Sequence, residues 1–296
     1  MCRTARPDVA VIILTCGEFS GLERTLDSVV KQIYPVDAVI VSDDGSGKAF
    51  PAALQERYPD IIFQTGEQNI GTVAHMNRTA GEIQSSYIKF LAAGDAFSDP
   101  EALTALAAFA DDKDTPAVTS QSMVCDRELI RRCYRFPGIR AKRLQKTGAE
   151  LFRALARSNF ISAPGTLLRR SFFTQLGGFD ESYYLLEDWP AWMRLAREGY
   201  AIPCLDRVTC LHGAGGVSSE NLDAYHSPRL QSDMVLCYEK EILPYLDRFP
   251  PGEARRVQYG YELARGRTHE ELIKKYPWQE RRTVWKRGLK RWLLER

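Results

Sequence analysis

The sequence predicts an α/β fold: a Rossmann-like, mostly parallel sheet flanked by helices, followed by a helical C-terminal extension. Three observations predict it. The first 120 residues alternate between strand-like and helix-like apolar patterns. Acidic residues cluster at the ends of two of the predicted strands. Beyond about residue 220 the strand-like runs stop, and a charged helical stretch broken by Pro244, Pro250 and Pro251 takes over.

The elements follow in order. Residues 9–14 (VAVIIL) form a continuous apolar run, as in a strand covered on both faces. Leu22, Leu26, Val29 and Val30 then recur at helical spacing. Residues 38–41 predict a second buried strand, ending in Ser42-Asp43-Asp44-Gly45-Ser46. A helix is predicted over 52–58, a third strand over 61–64 and a helix over 71–80. Residues 87–91 predict a fourth strand ending in Ala92-Ala93-Gly94-Asp95, before a helix over 102–110 and a fifth strand over 117–120. Repeated β-α units of this length imply a mostly parallel sheet. In such sheets ligands sit beyond the carboxyl ends of the strands, where Asp43-Asp44 and Asp95 fall. Residues 126–160 interrupt the pattern with a run of basic residues from Arg127 to Arg157. That run reads either as a solvated connector or as a basic rim facing an anionic acceptor. Residues 163–212 return to compact α/β character, giving a main domain over 1–220 and an extension over 221–296.

Composition narrows the function. A net charge of +2 gives no global basis for binding nucleic acid. The seven cysteines form neither a CxxC pair nor a Cys/His cluster with zinc spacing, and their scatter suits reduced thiols in a cytoplasmic protein. The N-terminal apolar run is too short for a secretory signal. No stretch approaches the roughly 20 apolar residues that span a bilayer, so any membrane role is expected to be peripheral.

Four constellations can carry chemistry. Asp43, after a buried strand, can accept a hydrogen bond from a base imide N–H; the same Asp-Asp-Gly-Ser run also suits a plain turn and helix cap. Asp95 sits among Ala92, Ala93, Gly94 and Ala96, small neighbours that let a bulky ligand approach. There it could hold a hard divalent ion bridging phosphate oxygens, or simply cap the next helix. Glu187 and Asp188 lie just before a helix, with Pro190 suited to its first position and Gly199 to its stop. They read as complements of the helix dipole, or as a general base at the mouth of a cleft. His212, in a glycine-rich loop, is a candidate metal ligand or an ordinary loop histidine.

Together these segments resemble the inverting glycosyltransferases of family 2, which have the GT-A fold. The motifs read here as Ile13-Leu14-Thr15, Asp43-Asp44-Gly45-Ser46 and Asn69-Ile70-Gly71 with Asn77. They continue as Gly81-Glu82 with Tyr87-Ile88-Lys89-Phe90-Leu91, Gly177-Gly178-Phe179-Asp180-Glu181 and Glu187-Asp188. The Leu-Glu-Asp-Trp-Pro run is similar to that of the branch building bacterial capsules and surface polysaccharides, and the resemblance spans roughly residues 8–218.

The resemblance implies a nucleotide-sugar donor, UDP-linked by preference, and a saccharide or lipid-linked saccharide acceptor. It implies that Thr15 and Asp43 hold the base, that Asn69 and Asn77 line the nucleotide cleft, and that Asp95 binds Mn²⁺ or Mg²⁺ with His212 as a second ligand. Asp188 would be the general base, with its pKa lowered by the helix N-terminus. The chain departs from the family in two places. Ala92 and Gly94 stand where further carboxylates are usual, and Thr15-Cys16-Gly17 replaces Thr-Tyr-Asn. The reduced acidic set favours a rival reading, a non-catalytic nucleotide-sugar-binding or scaffold protein of a polysaccharide assembly complex. A nucleotidyltransferase fits less well, because Thr15 to Gly21 holds no Lys or Arg. Finally, Trp285, Leu289, Trp292 and Leu293 share one helix face amid basic residues. That face suits either an anionic membrane surface or the protein's own core.

Overall fold

Val9 to Ile13 are fully buried, because helices cover both faces of their strand. In the computed structural model, residues 8–213 and 227–294 are described, with side chains as far as residue 285. The first half contains β1 (Val9–Thr15), α1 (Leu22–Val30), β2 (Ala38–Asp43), α2 (Ala52–Arg57), β3 (Ile62–Thr65), α3 (Thr72–Gly81) and β4 (Tyr87–Ala92). It continues with β5 (Ala96–Phe97), α4 (Ala102–Asp111), β6 (Ala117–Cys125), β7 (Arg132–Phe136) and a 3-10 stretch (Gly138–Gln145). Then come α5 (Gly148–Leu155), β8 (Leu167–Arg169), α6 (Ser171–Thr174), α7 (Asp188–Arg197) and β9 (Cys204–Gly213). The extension holds α8 (Pro228–Cys237), a π turn (Tyr238–Ile242), a 3-10 stretch (Leu243–Arg248), α9 (Pro251–Ala264), α10 (His269–Lys275) and α11 (Pro277–Leu294).

The strands lie in the order β3-β2-β1-β4-β8-β6-β9-β5, with β7 on the side of β6. The first four are parallel. Their registers pair Thr15 with Asp43 and Leu14 with Ala92, so the ends of β1, β2 and β4 finish at one level. The sheet as a whole is mixed rather than mostly parallel. β8 is antiparallel to both β4 and β6, and β5 and β7 are antiparallel to their neighbours. These three strands have three, two and five residues, too few for an apolar period to announce them. The fifth predicted strand runs on to Cys125 as β6, bulging between Ser120 and Ser122 within its pairing with β9.

Pleat alternation divides the core. Val9, Val11 and Ile13 face α1, α2 and α4, with Leu22, Leu26, Leu103 and Leu106. Ala10 and Ile12 face α3. A further apolar cluster joins α5, α6 and α7 to the extension, through Phe152, Phe172, Trp192, Tyr238, Phe249 and Val257. Helix α7 begins at Asp188, so Pro190 is its third residue rather than its first. The missing N–H still costs nothing there, because the first-turn donors have no helical partner. Gly199 ends the helix with φ at +95°. Among the described residues, no helix is long and apolar enough to cross a membrane, and the six described cysteines are free thiols.

Phe152 is one of the contacts that tie the extension down, with ring centroids 5.6 Å from Phe249 and 5.9 Å from Tyr245. Phe152→Ala is expected to lower unfolding free energy by about 3–5 kcal/mol. Urea denaturation followed by both fluorescence and circular dichroism should still show one transition, because the extension shares this core.

Candidate active site

Three loops meet at the ends of β1, β2 and α3. Asp43 is fully buried; its Oδ2 accepts the Gly17 N–H at 2.6 Å and its Oδ1 accepts the Ser46 N–H at 2.8 Å. Asp44, 4% exposed, accepts the Ile70 and Gly71 N–H groups at 3.1 and 2.9 Å. A buried carboxylate demands such donors, and these clamp the β1 turn, the β2 turn and the start of α3 together. The Thr15 hydroxyl donates to the Glu18 carbonyl at 2.8 Å, shaping the first turn. Gly45 has φ +64°, and a Cβ there would lie 2.1 Å from the Gln68 carbonyl carbon, so only glycine fits the Asp-Asp-Gly-Ser turn.

Asn69 belongs to this group. Its amide donates to the Cys16 Sγ at 3.1 Å, and its Oδ1 accepts the Tyr184 hydroxyl at 2.5 Å and the Gly71 N–H at 3.1 Å. Asn77 is engaged elsewhere. Its Oδ1 accepts the Phe179 N–H at 2.9 Å and its Nδ2 donates to the Phe179 carbonyl at 2.8 Å. Asn77, expected to line the nucleotide cleft, holds the Gly-Gly-Phe-Asp turn through these bonds. Asp180 of that turn pairs with Lys240.

Asp95 and His212, 117 positions apart, come together because β5 pairs antiparallel with β9, setting Ala96 against Leu211. The Asp95 Oδ1 lies 2.8 Å from His212 Nδ1 and accepts the Gly213 N–H at 3.1 Å. Burial alone would lower the His212 pKa, but the Asp95 charge and hydrogen bond outweigh it and hold it raised. Two cis ligands about 2.1 Å from an octahedral ion stand roughly 3 Å apart, so the pair has a spacing that fits a shared cation. Among the described residues, no group of three or more His, Cys, Asp or Glu could hold a metal. Residues 214–218 of the glycine-rich loop lie outside the described residues.

Glu187 and Asp188 open α7, and both are half-buried. Asp188 Oδ2 accepts the Asn159 amide at 2.6 Å and Oδ1 accepts the Trp189 N–H at 2.6 Å. The Asp188 pKa is raised, not lowered as the helix terminus suggested: desolvation by burial exceeds the pull of the Asn159 and Trp189 hydrogen bonds. Burial, then the Asp188 charge, also pushes Glu187 well above the carboxylate range. Sequence reasoning missed Asn159, Tyr184 and Asp233. On α8, Asp233 Oδ2 accepts the N–H groups of Tyr184, Leu185 and Leu186 at 3.0, 2.6 and 3.1 Å. No local pattern marks these residues, which act across tens of positions. A cavity of about 540 Å³ beside α1, lined by Arg24, Asp27, Phe97 and Leu129, contains none of these carboxylates and is not the site.

A strand-end turn closed by buried carboxylates, an Asp–His pair brought together by β5 and β9, and an acid pair opening a helix belong to one α/β fold. The chain belongs to glycosyl transferase family 2, whose family model matches residues 10–177. An uncharacterized glycosyltransferase of Mycobacterium tuberculosis is 30% identical over 100 residues, 33% of this chain and 38% of that protein. The chain therefore spans well under half the length of that curated relative. The structure superposes on S. aureus TarS 1–349 in complex with UDP-GlcNAc with a TM-score of 0.58 at 15% identity, covering 87% of this chain and 72% of that one. It matches the mannosyltransferase PcManGT from Pyrobaculum calidifontis, in complex with GDP-Man and Mn²⁺, with a TM-score of 0.57 at 18% identity, covering 93% and 73%. At these identities the structural matches establish the fold.

The acid pair has a consequence for stability. A carboxyl whose folded pKa is raised contributes stability below its unfolded pKa, and that stability is lost as pH rises through the folded pKa. Glu187→Gln should therefore melt at higher temperature than wild type on the alkaline side, with the difference shrinking towards the carboxylate range. Melting curves across that span check this; a difference constant with pH would deny that Glu187 titrates abnormally.

Proposed function

We propose that this protein transfers a glycosyl group from a UDP-sugar to a hydroxyl of a saccharide or lipid-linked saccharide, with inversion, in surface polysaccharide biosynthesis. The observation that carries the reading is the joining of the acid-pair loop to the nucleotide turns, Tyr184 to Asn69 to Cys16. In this reading the catalytic domain spans 1–220, the extension 221–296, and the protein acts in the cytoplasm at the inner face of the cell membrane.

Thr15, Asp43 and Asn69 frame the base, and Asp95 holds the diphosphate end. Asp95 and His212 would hold a divalent cation, Mn²⁺ or Mg²⁺, with the diphosphate supplying further oxygens. When bound, the cation would offset charge on the leaving diphosphate. Asp188 takes the proton as the acceptor O–H bond breaks and the oxygen bonds to the anomeric carbon. The C–O bond to the diphosphate breaks on the opposite face, and the diphosphate leaves with the electron pair. The Asn159 amide and the Trp189 N–H aim the Asp188 carboxylate. Burial raises its proton affinity, which makes it a stronger base than an exposed carboxylate.

Basic groups support an anionic acceptor or surface. Arg157, two residues before Asn159, has its pKa lowered first by burial and then by Arg256, with Arg143 and Arg282 acting in the same sense. Arg153 and Arg157 share Glu253 at 3.7 and 3.9 Å. Trp278 and Trp285 of α11 are 80% and 66% exposed, as an interfacial helix requires; Leu289, Trp292 and Leu293 lie outside the described side chains.

A thermal-shift panel of nucleotide sugars, with and without Mn²⁺, tests the reading; no stabilisation by any of them would end it. Asp188→Asn is expected to lower turnover about 10²–10⁴-fold while leaving donor affinity nearly intact. Asp95→Asn should weaken cation-dependent UDP binding as well as rate, measured by calorimetry with Mn²⁺, and Glu187→Gln should cost far less rate than Asp188→Asn. Near-full transfer by Asp188→Asn would move the base elsewhere. For the surface, the double variant Trp278→Ala/Trp285→Ala should co-sediment less with anionic liposomes than wild type; equal sedimentation counts against a peripheral helix.

A further inference from the structure

The extension sends a buried carboxylate into the loop that precedes the acid pair. Asp233 is 6% exposed. Its single oxygen Oδ2 gathers three successive N–H groups, of Tyr184, Leu185 and Leu186, and Leu186 immediately precedes Glu187. Successive backbone N–H groups converging on one point form an anion-binding concavity. Here the anion is supplied by the protein's own extension. The same loop reaches the other way: the Tyr184 hydroxyl bonds Asn69, and a Cβ on Gly71, with φ +87°, would lie 2.7 Å from the Tyr184 ring. The guanidinium of Arg229, also on α8, lies 4.5 Å from the Tyr184 ring centroid. The loop is thus held between α8 and the nucleotide turns.

We propose that Asp233 is a positioning residue for the transfer reaction, clamping residues 184–186 so that Glu187 and Asp188 are presented at the start of α7. The inference rests on the transferase reading given above. A neutral side chain could anchor a loop, and burying a carboxylate for that purpose alone is costly. The carboxylate has a further effect. Burial and the Asp188 charge are the main upward influences on the Glu187 carboxyl, and the Asp233 charge adds in the same sense. Catalytic competence would then depend on α8, which lies beyond the family-matched residues 10–177.

The test compares full-length wild type, Asp233→Asn and Asp233→Ala in two measurements. The first is UDP release from the UDP-sugar that gives turnover, analysed as kcat and donor KM. Both variants are expected to lose about 10–100-fold in kcat, as outer-shell partners do, with donor KM changed by less than about twofold. The second is amide hydrogen exchange. Residues 184–186 should exchange faster in the variants while β1, β2 and β4 keep their protection. Unchanged kcat in both variants overturns the proposal. So does faster exchange throughout β1, β2 and β4, which would make Asp233 a residue of the fold alone. If wild type releases UDP from no donor, the transferase reading falls, and exchange alone judges the clamp: unchanged protection of 184–186 in Asp233→Ala overturns it.

Discussion

A carboxylate withdrawn from water has to be met by donors, and at the heart of this protein two adjacent ones are. Asp43 and Asp44 together accept four backbone N–H groups, from Gly17, Ser46, Ile70 and Gly71. Those donors lie on three loops. Leaving even one such charge uncompensated would cost several kcal/mol. The demand therefore fixes the β1 turn, the β2 turn and the entry to α3 at once. The parallel register that sets Thr15 beside Asp43 brings the carboxylates within reach. The positive φ of Gly45 lets the chain turn under Gln68 without a clash.

The rest of the site depends on a change of direction in the sheet. β8 enters between β4 and β6 and runs against both. β6 therefore continues past the parallel half and takes β9 as a parallel partner from Thr119 on, bulging within that pairing. The end of β9 then lies against β5, directly after Asp95. The Asp95–His212 pair is a product of this path, not of any local motif. Lys89, fully buried on β4, donates to the carbonyls of Pro164 and Thr166, pinning the chain that leads into β8.

The start of α7 shows burial and hydrogen bonding in competition. A helix N-terminus and two donors favour ionised Asp188, yet desolvation by burial prevails and raises its pKa. The groups packed around Asp188 come from distant parts of the chain. Asn159 follows α5, and Trp189 donates from its indole to the Leu155 carbonyl at 3.0 Å. The extension closes the other side through Tyr238, whose ring lies 5.3 Å from that of Trp189. The extension is accordingly packed against the acid pair's own helix.

Much of this was legible in the sequence. Apolar periodicity acts over a few residues, so β1 to β4, α1, α3 and α4 could be placed to within two residues of where they form. The rule that ligands gather beyond parallel strand ends singled out Asp43 and Asp95, and ordered motifs pointed to family 2. Other features were decided only by tertiary structure. A three-residue strand such as β8 has no period to read, so the sheet's mixed character stayed hidden. Asn77 holds the Gly-Gly-Phe-Asp turn, about a hundred positions later, by both ends of its amide. The direction of the Asp188 shift and the grip of Asp233 on residues 184–186 likewise depend on groups far apart in the chain. Local sequence determines backbone preference, because torsions and periodicity are short-range. Charge, burial and hydrogen-bond partnership are set by whatever the fold brings alongside, and only the folded chain supplies those neighbours.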